Sequence, residues 1–287
     1  MHKQKSVGVV FACTLLFGLV VTKAGANDFC AGAVPGTFMT IDIPGATFVS
    51  ASGINPAGEI VGRYIAAGVT HAFLLSQGTL STIDVPGASF TSGRDINAQG
   101  DISGNYVSSG LTHGFVLSRG AFATIDVPGA SSSSAFTINP RGDLAGNYIS
   151  GGVDHGFVLS GGTFTTIDPP GSTRTIAFKM SAVGDVVGEY SSAGLTHAFL
   201  WSAGAFTTID VPGAGSTAAR GINPQGDIVG EYISGGVTRG FLLSQNALTT
   251  IQVPGATLSN ALAINARGDI VGRYIVGGVS HGFLLCK

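Results

Sequence analysis

The chain reads as an all-β protein, a six-bladed β-propeller of four-stranded blades. Three observations predict this. The segment Ile41-Asp42-Ile43-Pro44-Gly45 recurs with its first residue at 83, 125, 167, 209 and 251, always 42 residues on. Of 287 residues, 45 are glycine and only 10% carry charge. The repeat also breaks phase at its two ends in a complementary way, opening on a fourth strand and finishing on a third. A period of about 40–45 residues built from short strands is the mark of a propeller blade. Glycine at this level disfavours helices, by about 1 kcal/mol per interior position relative to Ala. Low charge with 44% hydrophobic residues favours a packed core over disorder.

The N-terminus precedes the repeat. Met1-His2-Lys3-Gln4-Lys5 is basic, residues 6–21 are a charge-free apolar run, and Ala24-Gly25-Ala26 is a run of small residues. This layout predicts a secretory signal peptide over residues 1–26, hence a secreted or periplasmic protein. The apolar run is short for a span of about 20 residues, so no membrane span is expected after cleavage. Residues 27–287 then form one propeller domain without a linker. They carry more acid than base and no Lys/Arg run, so nucleic-acid binding is not expected.

Within the first complete unit, strand one ends at Gly53-Ile54-Asn55. Pro56-Ala57-Gly58 turns the chain, with Pro suited to the second turn position and Gly to a left-handed bulge. Strand two covers residues 59–65, strand three 70–76 and strand four 79–86, joined by Ala67-Gly68 and Gln77-Gly78. A longer loop starting at Gly87-Ala88 leads to the next unit. Glycine recurs at positions 45, 58, 62 and 68 of every copy, where φ must be positive or backbones must approach closely.

Two-residue hairpins set the register, placing Tyr64 opposite His71 and His71 opposite Asp84. One face then carries Ile60, Phe73 and Leu75, the other Val61, Leu74 and Ile83. Both faces are apolar, as in a sheet covered on both sides. An open β-solenoid is the competing architecture, but it has shorter coils and needs polar caps.

Closure follows from the ends. The N-terminal strand at residues 37–43 supplies the fourth strand that residues 280–285 lack, which removes a sheet edge. Cys30 and Cys286 flank this junction and predict a disulfide in an exported protein.

Tyr, His and Asp fall at three repeat positions. The sets are Tyr64, His71 and Asp84; Tyr106, His113 and Asp126; Tyr148, His155 and Asp168; Tyr190, His197 and Asp210. Tyr274 and His281 are served by Asp42 across the closure, and Tyr232 goes with Arg239 and Gln252. A His beside a carboxylate suits a general base or a metal ligand. Near-identical copies instead read as an interblade hydrogen-bonded ladder belonging to the scaffold. No catalytic residue, metal or cofactor is assigned, since zinc spacings, phosphate loops and nucleophile elbows are absent. Arg141-Gly142-Asp143 and Arg267-Gly268-Asp269 read as turn chemistry rather than adhesion motifs.

Variation between copies gathers in the loops from strand four to strand one, as in Ser131-Ser132-Ser133-Ser134. Arg94, Arg174 and Arg220 lie near these loops and are the candidate ligand-binding residues. Strand two carries a variable polar position, Arg63, Asn105, Asn147, Glu189, Glu231 and Arg273, expected to face a central channel. Copy four departs from the pattern with Lys179-Met180-Ser181-Ala182.

The segment from Gly221-Ile222-Asn223-Pro224 to Asp227-Ile228-Val229-Gly230, with strands such as Thr196-His197-Ala198-Phe199, resembles the HAF-repeat family of extracellular bacterial proteins. His71-Ala72-Phe73 and His197-Ala198-Phe199 carry the tripeptide; other copies read His-Gly-Phe, and one reads Arg239-Gly240-Phe241. The resemblance covers essentially all of residues 27–287. It implies export and a repeated β fold and brings no catalytic residues. The expected function is an exported, non-catalytic binding or interaction module, with a glycan or an envelope protein as partner. The alternatives are a propeller enzyme acting on extracellular polysaccharide and a purely structural envelope protein. An enzyme needs asymmetric carboxylates or a metal cluster, and near-uniform repeats are expected to supply neither.

Overall fold

A computed structural model describes residues 29–287 and a short strand, β1 (Phe17–Leu19). The rest of the expected signal peptide lies outside the described residues. Among the described residues every regular element is a strand, and no helix is long and apolar enough to cross a membrane.

β1 runs parallel to β2 (Phe38–Ile41). Antiparallel meanders follow. The first is β3 (Ala46–Ile54), β4 (Ile60–Ala66), β5 (Val69–Ser76) and β6 (Thr79–Ile83). The next is β7 (Phe90–Ile96), β8 (Ile102–Ser108), β9 (Leu111–Ser118) and β10 (Ala121–Ile125). The third is β11 (Ser132–Ile138), β12 (Leu144–Ser150), β13 (Val153–Ser160) and β14 (Thr163–Thr166). The fourth is β15 (Arg174–Met180), β16 (Val186–Ser192), β17 (Leu195–Ser202) and β18 (Ala205–Thr208). The fifth is β19 (Ser216–Ile222), β20 (Ile228–Ser234), β21 (Val237–Ser244) and β22 (Ala247–Ile251). The chain ends with β23 (Leu258–Ile264), β24 (Ile270–Val276) and β25 (Val279–Leu285).

Turn chemistry accounts for these hairpins. Ala67 and Gly68 take φ of 49° and 79°, and Gln77 and Gly78 take 52° and 74°. Two consecutive positive φ values are what a type I′ hairpin requires, and its twist suits the flanking strands. The register agrees with the expectation: Tyr64 pairs with His71, and Phe73 with Thr82. Close approach explains the second-strand glycines. A Cβ on Gly146 would lie 1.9 Å from the Ser134 carbonyl oxygen. The ring of Phe157 covers the same spot, and Phe157 and its five equivalents are fully buried.

Each first strand also carries a β-bulge that the repeat pattern does not reveal. A register slip leaves Ser52, Arg94, Phe136, Phe178, Arg220 and Leu262 without a partner on the second strand, and β3 slips a second time between Ala46 and Phe48. The apolar core lies between meanders: Val61 and Ala72 of the first pack with Ile102 and Phe115 of the second. Both faces of the sheets are therefore covered.

Pairing joins the strands into sheets of 13, four and eight. The larger sheets arise where the third strand of one meander makes a single parallel bridge to the first strand of the next. These bridges are Thr70–Phe90, Thr196–Ser216 and Ser280–Phe48.

The two ends meet as expected. β2 pairs antiparallel with β25, Phe38 opposite Leu285 and Ile41 opposite Gly282. The Cys30–Cys286 disulfide locks this pairing across a sequence separation of 256, with a Cα–Cα distance of 5.4 Å. Asn265 Nδ2 reaches the Asn55 carbonyl at 3.5 Å. It repeats across the junction the bond that Asn55 Nδ2 makes to the Asn97 carbonyl at 3.3 Å.

Candidate functional site

The ladder is geometrically uniform. His155 Nδ1 lies 2.7 Å from Asp168 Oδ2, and His71–Asp84, His113–Asp126, His197–Asp210 and His281–Asp42 fall at 2.7 or 2.8 Å. The Tyr148 ring stacks on His155 with centroids 5.2 Å apart, and its hydroxyl meets Thr166 Oγ1 at 2.8 Å. The expected interblade course is corrected here. The ladder crosses strands two, three and four of a single meander, because two-residue hairpins bring those positions side by side. Tyr274 and His281 reach Thr40 and Asp42 because their fourth strand comes from the N-terminus. Where His and Asp are replaced, Arg239 Nη1 donates to the Ser234 carbonyl at 3.3 Å and Gln252 Nε2 to the Ala256 carbonyl at 2.8 Å. Among the described residues no group of three His, Cys, Asp or Glu is placed to hold a metal ion.

The first strands line an axial channel. All six bulge residues, Ser52, Arg94, Phe136, Phe178, Arg220 and Leu262, surround one cavity of about 60 Å³, together with Lys179. A larger cavity of about 340 Å³ is lined by Glu189, Arg220, Glu231, Asn260 and Arg273. Ser216 and Leu258, the first residues of β19 and β23, place this cavity toward the strand four-to-one loops.

This geometry moves one of the candidate arginines. Arg94 and Arg220 both occupy the bulges of their strands and line the smaller cavity, but Arg220 also lines the larger cavity toward the loop end. Arg174 does stand at the loop end, where its Nη1 meets Glu189 at 2.6 Å and its Nε lies 3.5 Å from Asp154. The variable second-strand position faces the channel as expected for Glu189, Glu231 and Arg273. The expectation that the repeats supply no asymmetric carboxylates fails here. Glu189 and Glu231 share the larger cavity, with Arg220 Nη2 at 3.5 Å from the first and 2.5 Å from the second.

The wall is rich in half-buried cationic groups. Arg220 stacks 3.8 Å over the Phe178 ring centroid. Burial pulls its guanidinium down, but Glu231 and Glu189 outweigh this and leave it raised. Arg94 sits 4.9 Å over Phe136 and its Nε donates to Asn105 Oδ1 at 3.0 Å. Burial, then Arg63 and Arg220, push it down to about 9, so it stays charged at neutral pH. Arg63 and Arg273 lie 5.2 and 5.4 Å from the centroid of one ring, Phe48. Burial lowers Arg63, with Arg273 adding to the fall. Burial also lowers Arg273, where Glu231 pulls back and Arg220 adds to the fall.

Copy four is explained at the far end of this wall. Lys179 Nζ reaches Asp95 Oδ1 at 2.5 Å, and Thr137 Oγ1 donates to Asp95 Oδ2 at 2.7 Å. Only 7% of the Lys179 side chain and 6% of the Asp95 side chain are exposed, so each charge depends on the other. Asp95, Thr137 and Lys179 hold one repeat position in successive meanders, where the other copies have Gly53, Gly221 and Ala263. Opposite charges two repeats apart, at a position that is otherwise small, were the signal that sequence reasoning passed over.

No protein-family model matches the chain, and no curated protein matches it. Solved structures do. An Agrobacterium tumefaciens chain assigned as TolB is 14% identical with a TM-score of 0.58, over 83% of this chain and 90% of that one. A streptogramin B lyase is 12% identical with a TM-score of 0.54, over 86% and 97%. The β-propeller domain of the trilobed protease from Pyrococcus furiosus, described as having an open velcro topology, is 12% identical with a TM-score of 0.53, over 85% and 82%. At these identities the likeness establishes the β-propeller fold alone.

Proposed function

We propose that the protein is an exported six-bladed β-propeller acting as a non-catalytic binding module, with its ligand at the loop end of the axial channel. The blade count rests on the meanders, with β2 as the fourth strand of β23–β25, and on six bulge residues around one cavity. Export is supported by the basic and apolar leader and by the disulfide, which persists in oxidising compartments. The tripeptide pattern supports membership of the HAF-repeat family. The observation that carries the functional reading is the 340 Å³ cavity, where residues that differ from blade to blade converge as hydrogen-bonding and charged groups. Its mixture of Arg, Glu and Asn suits a polyhydroxylated ligand such as a glycan.

A polysaccharide-cleaving enzyme is the second reading, favoured by Glu189 and Glu231 sharing that cavity. Both carboxylates are tied to Arg220, which suits fixed acceptors of ligand hydroxyls better than a proton donor. A glycan-array screen of residues 27–287, followed by calorimetry, decides between them. One ligand per chain, lost on Glu231→Gln, is the expected result. Several equivalent sites per chain would transfer binding to the ladder, and release of reducing ends would make the protein an enzyme.

A further inference from the structure

The axial wall is cationic in a protein whose formal net charge is −2. Its arginines differ in what they hold. Arg174 meets Glu189 and Asp154, Arg220 meets Glu231 and Glu189, and Arg94 donates to Asn105. Among the described residues Arg63 and Arg273 make no salt bridge or side-chain hydrogen bond, Glu231 acts on Arg273 only through space, and both guanidiniums lie over Phe48. They occupy the same repeat position on the two blades that meet at the chain ends. Beside Arg273 on the facing strand is Asn260, 6% exposed, whose Oδ1 is buried without a hydrogen-bond partner. Asn260 and Arg273 both line the larger cavity.

Placing like-charged guanidiniums together in a partly dry wall is unfavourable unless an anion joins them. A planar guanidinium offers a fork of donors that matches a carboxylate. The orphan acceptor on Asn260, with Glu189 and Glu231 near it, offers places for hydroxyl donors. We propose that Arg63 and Arg273, which share the Phe48 ring, clamp the carboxylate of an acidic sugar whose hydroxyls bond Asn260 and Glu231. This rests on the axial-site reading above and names its ligand class: a uronate, free or at the end of a glycan.

Calorimetric titration of residues 27–287 with galacturonate, oligogalacturonate and galactose tests it. The acidic probes bind at one per chain, galactose does not, and affinity falls as salt rises. Tighter binding of the oligomer than the monomer assigns the ligand to a glycan end, and equal binding assigns it to a free sugar acid. Arg63→Gln and Arg273→Gln each weaken binding at least tenfold, and Arg63→Gln does not lower the melting temperature, because it relieves like-charge repulsion. Acidic-probe binding that survives the double variant but is lost in Asn260→Ala overturns the clamp and leaves the axial site standing. Binding indifferent to all three substitutions overturns both. Equal binding of galactose, or failure of both acidic probes to bind, overturns the clamp.

Discussion

The outer strands and the axial wall of this propeller follow opposite rules. Outside, Tyr148, His155, Asp168 and Thr166 make a ladder repeated with nearly the same distances in four other blades. At the axis, one repeat position reads Ser52, Arg94, Phe136, Phe178, Arg220 and Leu262. The ladder is satisfied within one blade, so each copy works without regard to its neighbours. The axis brings all six positions into one cavity. Six copies of an arginine there would place like charges around a point, which charge repulsion opposes. Divergence at the axis relieves that repulsion and concentrates polar asymmetry around the cavities.

Breaking the closure has the largest expected effect on the scaffold side of this comparison. Cys30→Ser with Cys286→Ser removes a cross-link over a separation of 256 residues and destabilises the fold by up to about 5 kcal/mol. Denaturant unfolding of the variant measures this, and an unchanged midpoint would show that strand pairing alone closes the ring. Next comes the wall itself. Lys179→Ala strands Asp95 at 6% side-chain exposure and lowers stability by about 4 kcal/mol. The double change Asp95→Thr with Lys179→Met recovers most of that loss, since buried pairs are replaceable by apolar groups of similar volume.

Removing one rung of the ladder has a smaller effect. His155→Ala lowers stability by about 1 kcal/mol, as for a cross-strand polar pair, and leaves ligand binding intact. Lost binding at full stability would move function to the outer strands. The smallest effect is at a turn. Burial raises the Asp143 carboxyl, but bonds from Ser160, Asn139 and Arg141 outweigh it and hold the group below its usual value. Its contribution is present above the ordinary carboxylate range and is lost as pH falls through the depressed value. Asp143→Asn should therefore flatten the acid limb of the melting curve against pH and change little at neutral pH.

Much of the scaffold was legible before any coordinates. Hairpins such as Ala67-Gly68 set the pairing of Tyr64 with His71, and the end phases pointed to the Cys30–Cys286 bond. The bulge at Arg94 and Arg220 was not legible, because every copy has it and it leaves the 42-residue period untouched. Both residues were accordingly expected near the loops, and only Arg220 also reaches the cavity there. The site was legible as a variable position on strand two and in Arg220, with no way to see which copies share a cavity.

Local chemistry and periodicity alone determined the all-β class, the four-strand unit, the hairpin register and the joining of the ends. Each depends on residues close in sequence or on the phase of the repeat. Tertiary structure alone decided that Lys179 meets Asp95, that Glu189 and Glu231 share Arg220, and that Arg63 and Arg273 share Phe48. Lys179 and Asp95, Glu189 and Glu231, and Arg63 and Arg273 sit on different blades, and their approach in space is encoded by no spacing along the chain.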